Sequence, residues 1–167
     1  MKRKRSPERV VHPFEPYVRE DSQILILGSV PSVASRAYGF FYGHPQNRFW
    51  KMLSAVFNEP FPSTIDDKKQ LLEKHKIALY DSIKECTILG SSDSSIRDVV
   101  PSDIESILKC SKITKILSNG KASEKYFLQF QKDELIKKLK VMPSTSPANA
   151  SYNLAKLIEI WRPELTT

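Results

Sequence analysis

Four short apolar runs punctuate the chain: ILILG (24–28), IALY (77–80), ITKIL (113–117) and LKVM (139–142). Continuous apolar runs of this length, ended by turn residues, predict strands buried on both faces of a parallel sheet. The segments between them repeat at helical spacing. In RFWKMLSAVF (48–57), Phe49, Met52, Leu53, Val56 and Phe57 fall on one face. DDKKQLLEKH (66–75) has acids early and bases late, which suits a helix dipole. DIESILKC (103–110) follows Ser102, a favoured N-cap residue. Further helices are predicted at 121–130, 133–139 and 151–161, the last stopped near Pro163. The alternation predicts an α/β fold, a three-layer α/β/α sandwich around a central, mostly parallel four-stranded sheet.

Open parallel sheets bind ligands beyond the carboxyl ends of their strands. Those ends here carry GSVPS (28–32), DSIKE (81–85), SNGKAS (118–123) and PSTSPANA (143–150), all polar and turn-forming. FFYGHPQNRFW (40–50) follows directly on the first, with five aromatic rings beside an amide and a guanidinium. Either the rings plug the core, or they border a pocket that stacks a flat ligand. The serine-rich GSSDSS (90–95) reads as a surface loop, and HPFEPY (12–17) as an extended segment laid over a surface.

Composition narrows the classes. The 167 residues suffice for one domain with a sizeable core, and 40% hydrophobic content with a mean hydropathy of −0.37 suits a soluble protein. No apolar run approaches the roughly 20 residues of a membrane span, and no apolar stretch follows the charged start to make a secretory signal. Residues 1–10 carry Lys2, Arg3, Lys4, Arg5 and Arg9, and are expected to form a basic, disordered arm. Residues 11–167 then form a single domain. A net charge of +7 and a pI near 9.4 favour a polyanionic partner. Cys86 and Cys110 are far apart and lack a CxxC pattern, and the histidines lack metal-ligand spacing. No disulfide framework, metal site or cofactor is therefore expected, and both thiols are expected to be buried and free.

GSVPSVASRAYGFFYGHPQNRFW resembles the first signature of the uracil-DNA glycosylase superfamily, with PSTSPANA in the place of its second. In the mismatch-specific uracil/thymine branch, the third residue of GINPG is a catalytic Asn; here that position is Val30. GSxPS, HPQNRFW and SPANA together are similar to the hypoxanthine-DNA (deoxyinosine) glycosylase branch. That resemblance implies base excision from double-stranded DNA carrying a damaged or mismatched base. It also implies a monomer acting without a cofactor in the cytoplasm, at the nucleoid in a prokaryote.

By the same resemblance Asn47 is the catalytic amide, orienting a water through its oxygen; its alternative role is a helix cap. Tyr42, or else Phe41, would stack the flipped base. Gly28 and Ser29 would offer backbone N–H groups, and Asp81 would accept a ring N–H or serve only as a cap. Ser32, Ser144, Ser146, Pro147, Ala148 and Asn149 would meet DNA. Arg48 would contact phosphate or hold the Asn47 loop by ion pairing. His44 would orient that loop, and Asn119 would serve the turn or a phosphate. No lysine lies within the two signatures, so no covalent lysine intermediate is implied. Removal of uracil or mismatched thymine, and binding without cutting, are the alternative functions.

Overall fold

The computed structural model describes residues 6–166. Its central sheet contains β2 (Ile24–Gly28), β3 (Ile77–Asp81), β6 (Lys115–Asn119) and β7 (Leu139–Met142), all parallel, in the order β3-β2-β6-β7. Every residue of β2 and β3 is buried, which explains why these strands are unbroken apolar runs. The helices are α1 (Val33–Tyr38), α2 (Phe49–Val56), α3 (Ile65–Lys74), α4 (Ile104–Lys109), α5 (Lys121–Phe130), α6 (Asp133–Ile136) and α7 (Leu154–Leu165). Phe49, Phe127 and Trp161, each fully buried, bring α2, α5 and α7 into the one main core. The predicted α/β fold with its parallel four-stranded sheet is what the chain adopts.

Several boundaries differ from expectation. α6 ends at Ile136, because residues 139–142 belong to β7. α7 begins at Leu154, capped by the Asn153 side chain, and continues past Pro163. Cys110 is exposed, whereas Cys86 is buried as expected.

The larger difference is a second sheet. β1 (Glu8–Val11), β4 (Ile83–Ile88) and β5 (Arg97–Pro101) form an antiparallel sheet in the order β1-β4-β5. In β4 the buried residues Ile83, Cys86 and Ile88 are not evenly alternated, because the register against β5 shifts twice. Those irregularities hide the period of two by which a strand is recognised. β1 takes residues 8–10 out of the expected arm; residues 1–5 lie outside those described. Arg9, read as part of the basic, disordered arm, instead pairs with Glu85 at 2.8 Å and donates to the Asp98 carbonyl at 2.6 Å. Val10, Ile83, Cys86, Ile88 and Tyr126 form a small core under this sheet, and Val30 packs against it.

The segment at 12–17 is extended over the sheet edge as expected. Tyr17 bridges to Leu79, and Phe14 meets Phe41 edge-on at 4.8 Å.

Candidate active site

In the order β3-β2-β6-β7, the chain leaves β2 to one side for β3 and returns on the other for β6. The crevice beyond β2 and β6 is therefore the switch point at which ligands bind. A cavity of about 320 Å³ opens there, bordered by Gly28, Asn119 and the loops that follow.

Gly28 pairs in register with Asp81, and a Cβ on Gly28 would collide with Asp81 Oδ1. Glycine at this position lets the carboxylate lie against the end of β2. Asp81 is neither a cap nor a surface acid: it is 4% exposed and its Oδ2 lies 2.7 Å from His12 Nε2. His12 Nδ1 accepts the Phe14 N–H at 3.4 Å, so in the neutral ring Nε2 carries the proton and donates to Asp81. The His12 ring is wedged against Tyr80 at 4.4 Å and Phe14 at 4.9 Å. The extended segment at 12–17 thus fixes the acid at the cavity floor.

The rings of 40–50 divide between the cavity and the core. Tyr42 stacks on Phe49 at 4.1 Å and also lines the cavity, which leaves its other face for a flat ligand. It is held at φ 54°, a left-handed conformation costly for a bulky residue and consistent with a functional constraint. Its buried hydroxyl lies toward Asn119 without a hydrogen bond of regular geometry, and burial together with the Asp81 charge raises its pKa. Phe41 touches the cavity but is 3% exposed among Phe14, Phe40 and Tyr80. Trp50 is core, its indole N–H donating to the Phe41 carbonyl at 3.1 Å.

Asn47 sits in a turn closed by its own N–H to the His44 carbonyl, and His44 Nδ1 accepts the Gln46 N–H. Asn47 Oδ1 accepts two hydrogen bonds, from the Phe49 N–H at 2.9 Å and from Thr145 Oγ1 at 2.8 Å. The backbone donor fixes which end of the amide is oxygen. Asn47 therefore does cap the start of α2, and its Nδ2, without a partner among the described residues, is the group left for the cavity it lines. The oxygen, expected to orient a water, has both lone pairs engaged.

Thr145 is the hub of this wall and carried no signal in PSTSPANA. Fully buried, it donates to Asn47, accepts from Asn119 Nδ2 at 3.0 Å, and gives its N–H to Asn119 Oδ1 at 2.9 Å. Asn119 is thus a brace for the second loop. Arg48 does the same work from the other side. Its guanidinium donates to the carbonyls of Ser146 at 2.8 Å, Asn149 at 3.1 Å and Tyr152. Among the described residues no carboxylate pairs with it, and each of its three nitrogens already donates to a carbonyl of one curled loop, Thr145 included. Both expected roles of Arg48 are therefore replaced by a backbone clamp.

The second loop presents its tip outward. Pro147 and Ala148 are exposed, while Asn149 Nδ2 is tied to the Ser144 carbonyl at 2.9 Å. Ser144 and Ser146 accept backbone N–H groups from Ser146 and Ala148, which leaves their hydroxyl protons for an anion. Ser32 caps α1 and donates to Ser35 Oγ, so its hydroxyl is committed inside the protein.

GSSDSS, read as a plain surface loop, forms the remaining wall. Ser29 Oγ donates to Asp93 Oδ1 at 3.0 Å, and Ser91 Oγ accepts the Val33 N–H at 2.9 Å. Asp93 is an exposed residue that lines the cavity, yet protein atoms crowd its carboxylate. That desolvation, with Asp81 adding to it and the Ser29 bond opposing it, raises the Asp93 pKa. No lysine lines the cavity among the described residues.

A parallel sheet with a polar, ring-walled cavity at its switch point defines an α/β protein built to receive a small flat group at its strand ends. Comparison with known proteins narrows that class. A model of the Uracil DNA glycosylase superfamily matches residues 15–163. A Hypoxanthine DNA glycosylase of Methanosarcina barkeri is 35% identical over 116 residues, 68% of this chain and 73% of its own length. One from Methanosarcina acetivorans is 32% identical over 146 residues, 84% of this chain and 89% of its own. The solution NMR structure of a candidate uracil DNA glycosylase from M. acetivorans superposes with a TM-score of 0.76 at 28% identity, covering 92% of this chain and 97% of that one. The chain belongs to the uracil DNA glycosylase superfamily.

Proposed function

We propose that this protein is a monofunctional DNA glycosylase that flips a deaminated base, hypoxanthine first, out of duplex DNA and hydrolyses its N-glycosidic bond. The observation that carries this reading is the Asn47 amide, locked by Phe49 and Thr145 with Nδ2 left for the cavity. The relatives named Hypoxanthine DNA glycosylase support the choice of base.

Flipping costs a few kcal/mol, least at a mispair. Stacking on the free face of Tyr42 returns roughly 1–3 kcal/mol. Asp81, held by its His12 donor, accepts the ring N–H that hypoxanthine carries and adenine lacks. As the C1′–N bond breaks, negative charge grows on the base and positive charge on the sugar. Asn47 Nδ2 and the N–H groups of the GSVPS turn are donors for the first of these charges. Water is the nucleophile in this reading, since no lysine lines the cavity among the described residues to form an imine. Ser144 and Ser146 contact phosphate, and the exposed Pro147–Ala148 tip fills the gap left by the flipped base. A duplex substrate, a monomeric protein and a cytoplasmic setting complete the proposal; no described helix is long and apolar enough to cross a membrane.

A nicking assay after alkali, on matched and mismatched duplexes, compares deoxyinosine, deoxyuridine and mismatched thymine. Fastest cleavage at deoxyinosine is the expected result. Faster cleavage at deoxyuridine or thymine overturns the choice of base, and binding without cleavage of any substrate overturns the enzyme reading.

A further inference from the structure

Hydrolysis also needs an acceptor on the sugar side of the cavity, one that holds the water and takes its proton as the C1′–N bond opens. The candidates can be taken in turn. Asn47 Oδ1 already accepts two bonds, and Asn119 Oδ1 accepts the Thr145 N–H. His44 Nδ1 accepts the Gln46 N–H, so its neutral ring offers the cavity a donor. Asp81 lies at the floor, 4% exposed, with one oxygen on His12. It meets the base rather than C1′.

Asp93 remains. We infer that the Asp93 carboxylate is the group that holds and deprotonates the attacking water, a role that rests on the glycosylase reading above. It lines the same cavity as Asp81 but is exposed where Asp81 is buried, so a base seated against Asp81 puts its sugar on the more open side that Asp93 occupies. Its side chain has one protein hydrogen bond, from Ser29 Oγ, among the described residues. An ionised carboxylate accepts about four, so capacity for a water remains. The short 3-10 turn that carries it, Asp93–Ser95, is fastened over the GSVPS turn by Ser29 and Ser91. Val30 does not compete for this space with a polar group: its apolar side chain packs against the small core under the second sheet.

The step balances without a further reactant. The water oxygen bonds to C1′ while the C1′–N bond breaks and its electron pair leaves with the base. One water proton passes to Asp93 and on to solvent, and the base anion takes a proton from solvent. Desolvation, which raises the Asp93 pKa, also makes the carboxylate a stronger base than one at its ordinary pKa.

The test is single-turnover release of hypoxanthine from a duplex carrying one deoxyinosine, by wild type, Asp93→Ala and Asp93→Asn. Affinity for the same duplex with non-cleavable 2′-fluorodeoxyinosine is measured alongside. Asp93→Ala is expected to slow release by about 10²–10³-fold. Asp93→Asn, which keeps an acceptor for the water but takes no proton, slows release by less. Both variants bind the fluorinated duplex within about threefold of wild type, the signature of an interaction made only in the transition state. Release by either variant at the wild-type rate overturns the assignment. So does a fall in affinity that accounts for the whole loss, since Asp93 would then only shape the wall. If Asp93→Ala fails to fold, Asp93→Asn decides alone. A wild-type protein that releases no base overturns the glycosylase reading itself, a result distinct from either of these.

Discussion

The two walls of the cavity are built in opposite ways. On one side Asn47, Arg48, Thr145 and Asn119 form a dense lattice in which each polar atom of Thr145 has a partner and the guanidinium is spent on carbonyls. On the other side, residues 90–95 are held to residues 29–33 by two side-chain bonds, from Ser29 and to Ser91, and carry a carboxylate whose pKa desolvation raises. The first wall orients a donor; the second exposes an acceptor. The difference teaches that a donor aimed at a leaving group must be rigid, whereas a proton acceptor must stay open to water.

Breaking the rigid wall gives the largest effects. Arg48→Ala removes a charged fork from four carbonyls and is expected to cost about 3 kcal/mol in urea unfolding. Arg48→Lys recovers little of this, because a point charge does not match the fork. Thr145→Val keeps the shape but unpairs Asn119 Nδ2 and one bond to Asn47, at about 2 kcal/mol. Base release should fall by about 10²-fold through misplacement of the Asn47 amide, and Thr145→Ser should restore most of it.

The open wall responds with the reverse sign. An acid whose folded pKa is raised destabilises the fold above that pKa, and the penalty fades as pH falls through it. Asp93→Asn should therefore raise Tm at pH 8 and leave it nearly unchanged well below the carboxylate range. The groups whose charges act with Asp93 are Asp81 on β3, Cys86 on β4 and Tyr126 on α5. A Tm that falls at pH 8 would place Asp93 with the rigid wall and erase the contrast.

The rigid wall was also the more legible one. FFYGHPQNRFW and PSTSPANA are contiguous stretches, so their resemblance to the superfamily's two signatures could single out Asn47, Tyr42, Ser144 and Ser146. The central sheet was legible because burial on both faces writes itself as unbroken apolar runs, as in ILILG. What escaped depends on distant pairing. His12 reaches Asp81 across 69 residues, and nothing in HPFEPY marks it as a partner for an acid. Thr145 looks like any residue of a small, polar loop. The second sheet was lost because its strands are short and irregular in register, and with it went the wall that carries Asp93. Arg48 was misassigned because a cation beside two DNA-facing loops suggests phosphate, whereas the carbonyls it binds become neighbours only on folding.

The account turns on a duplex base being cut by the Asn47 wall. The direct measurement is chromatographic detection of free hypoxanthine from a duplex with one deoxyinosine, for wild type and Asn47→Ala under single turnover. Free base from wild type, reduced by several orders of magnitude in the variant with duplex binding retained, is the predicted result. A loss below about tenfold, equivalent to roughly 1.4 kcal/mol in the barrier, would contradict it and leave Asn47 as a helix cap alone.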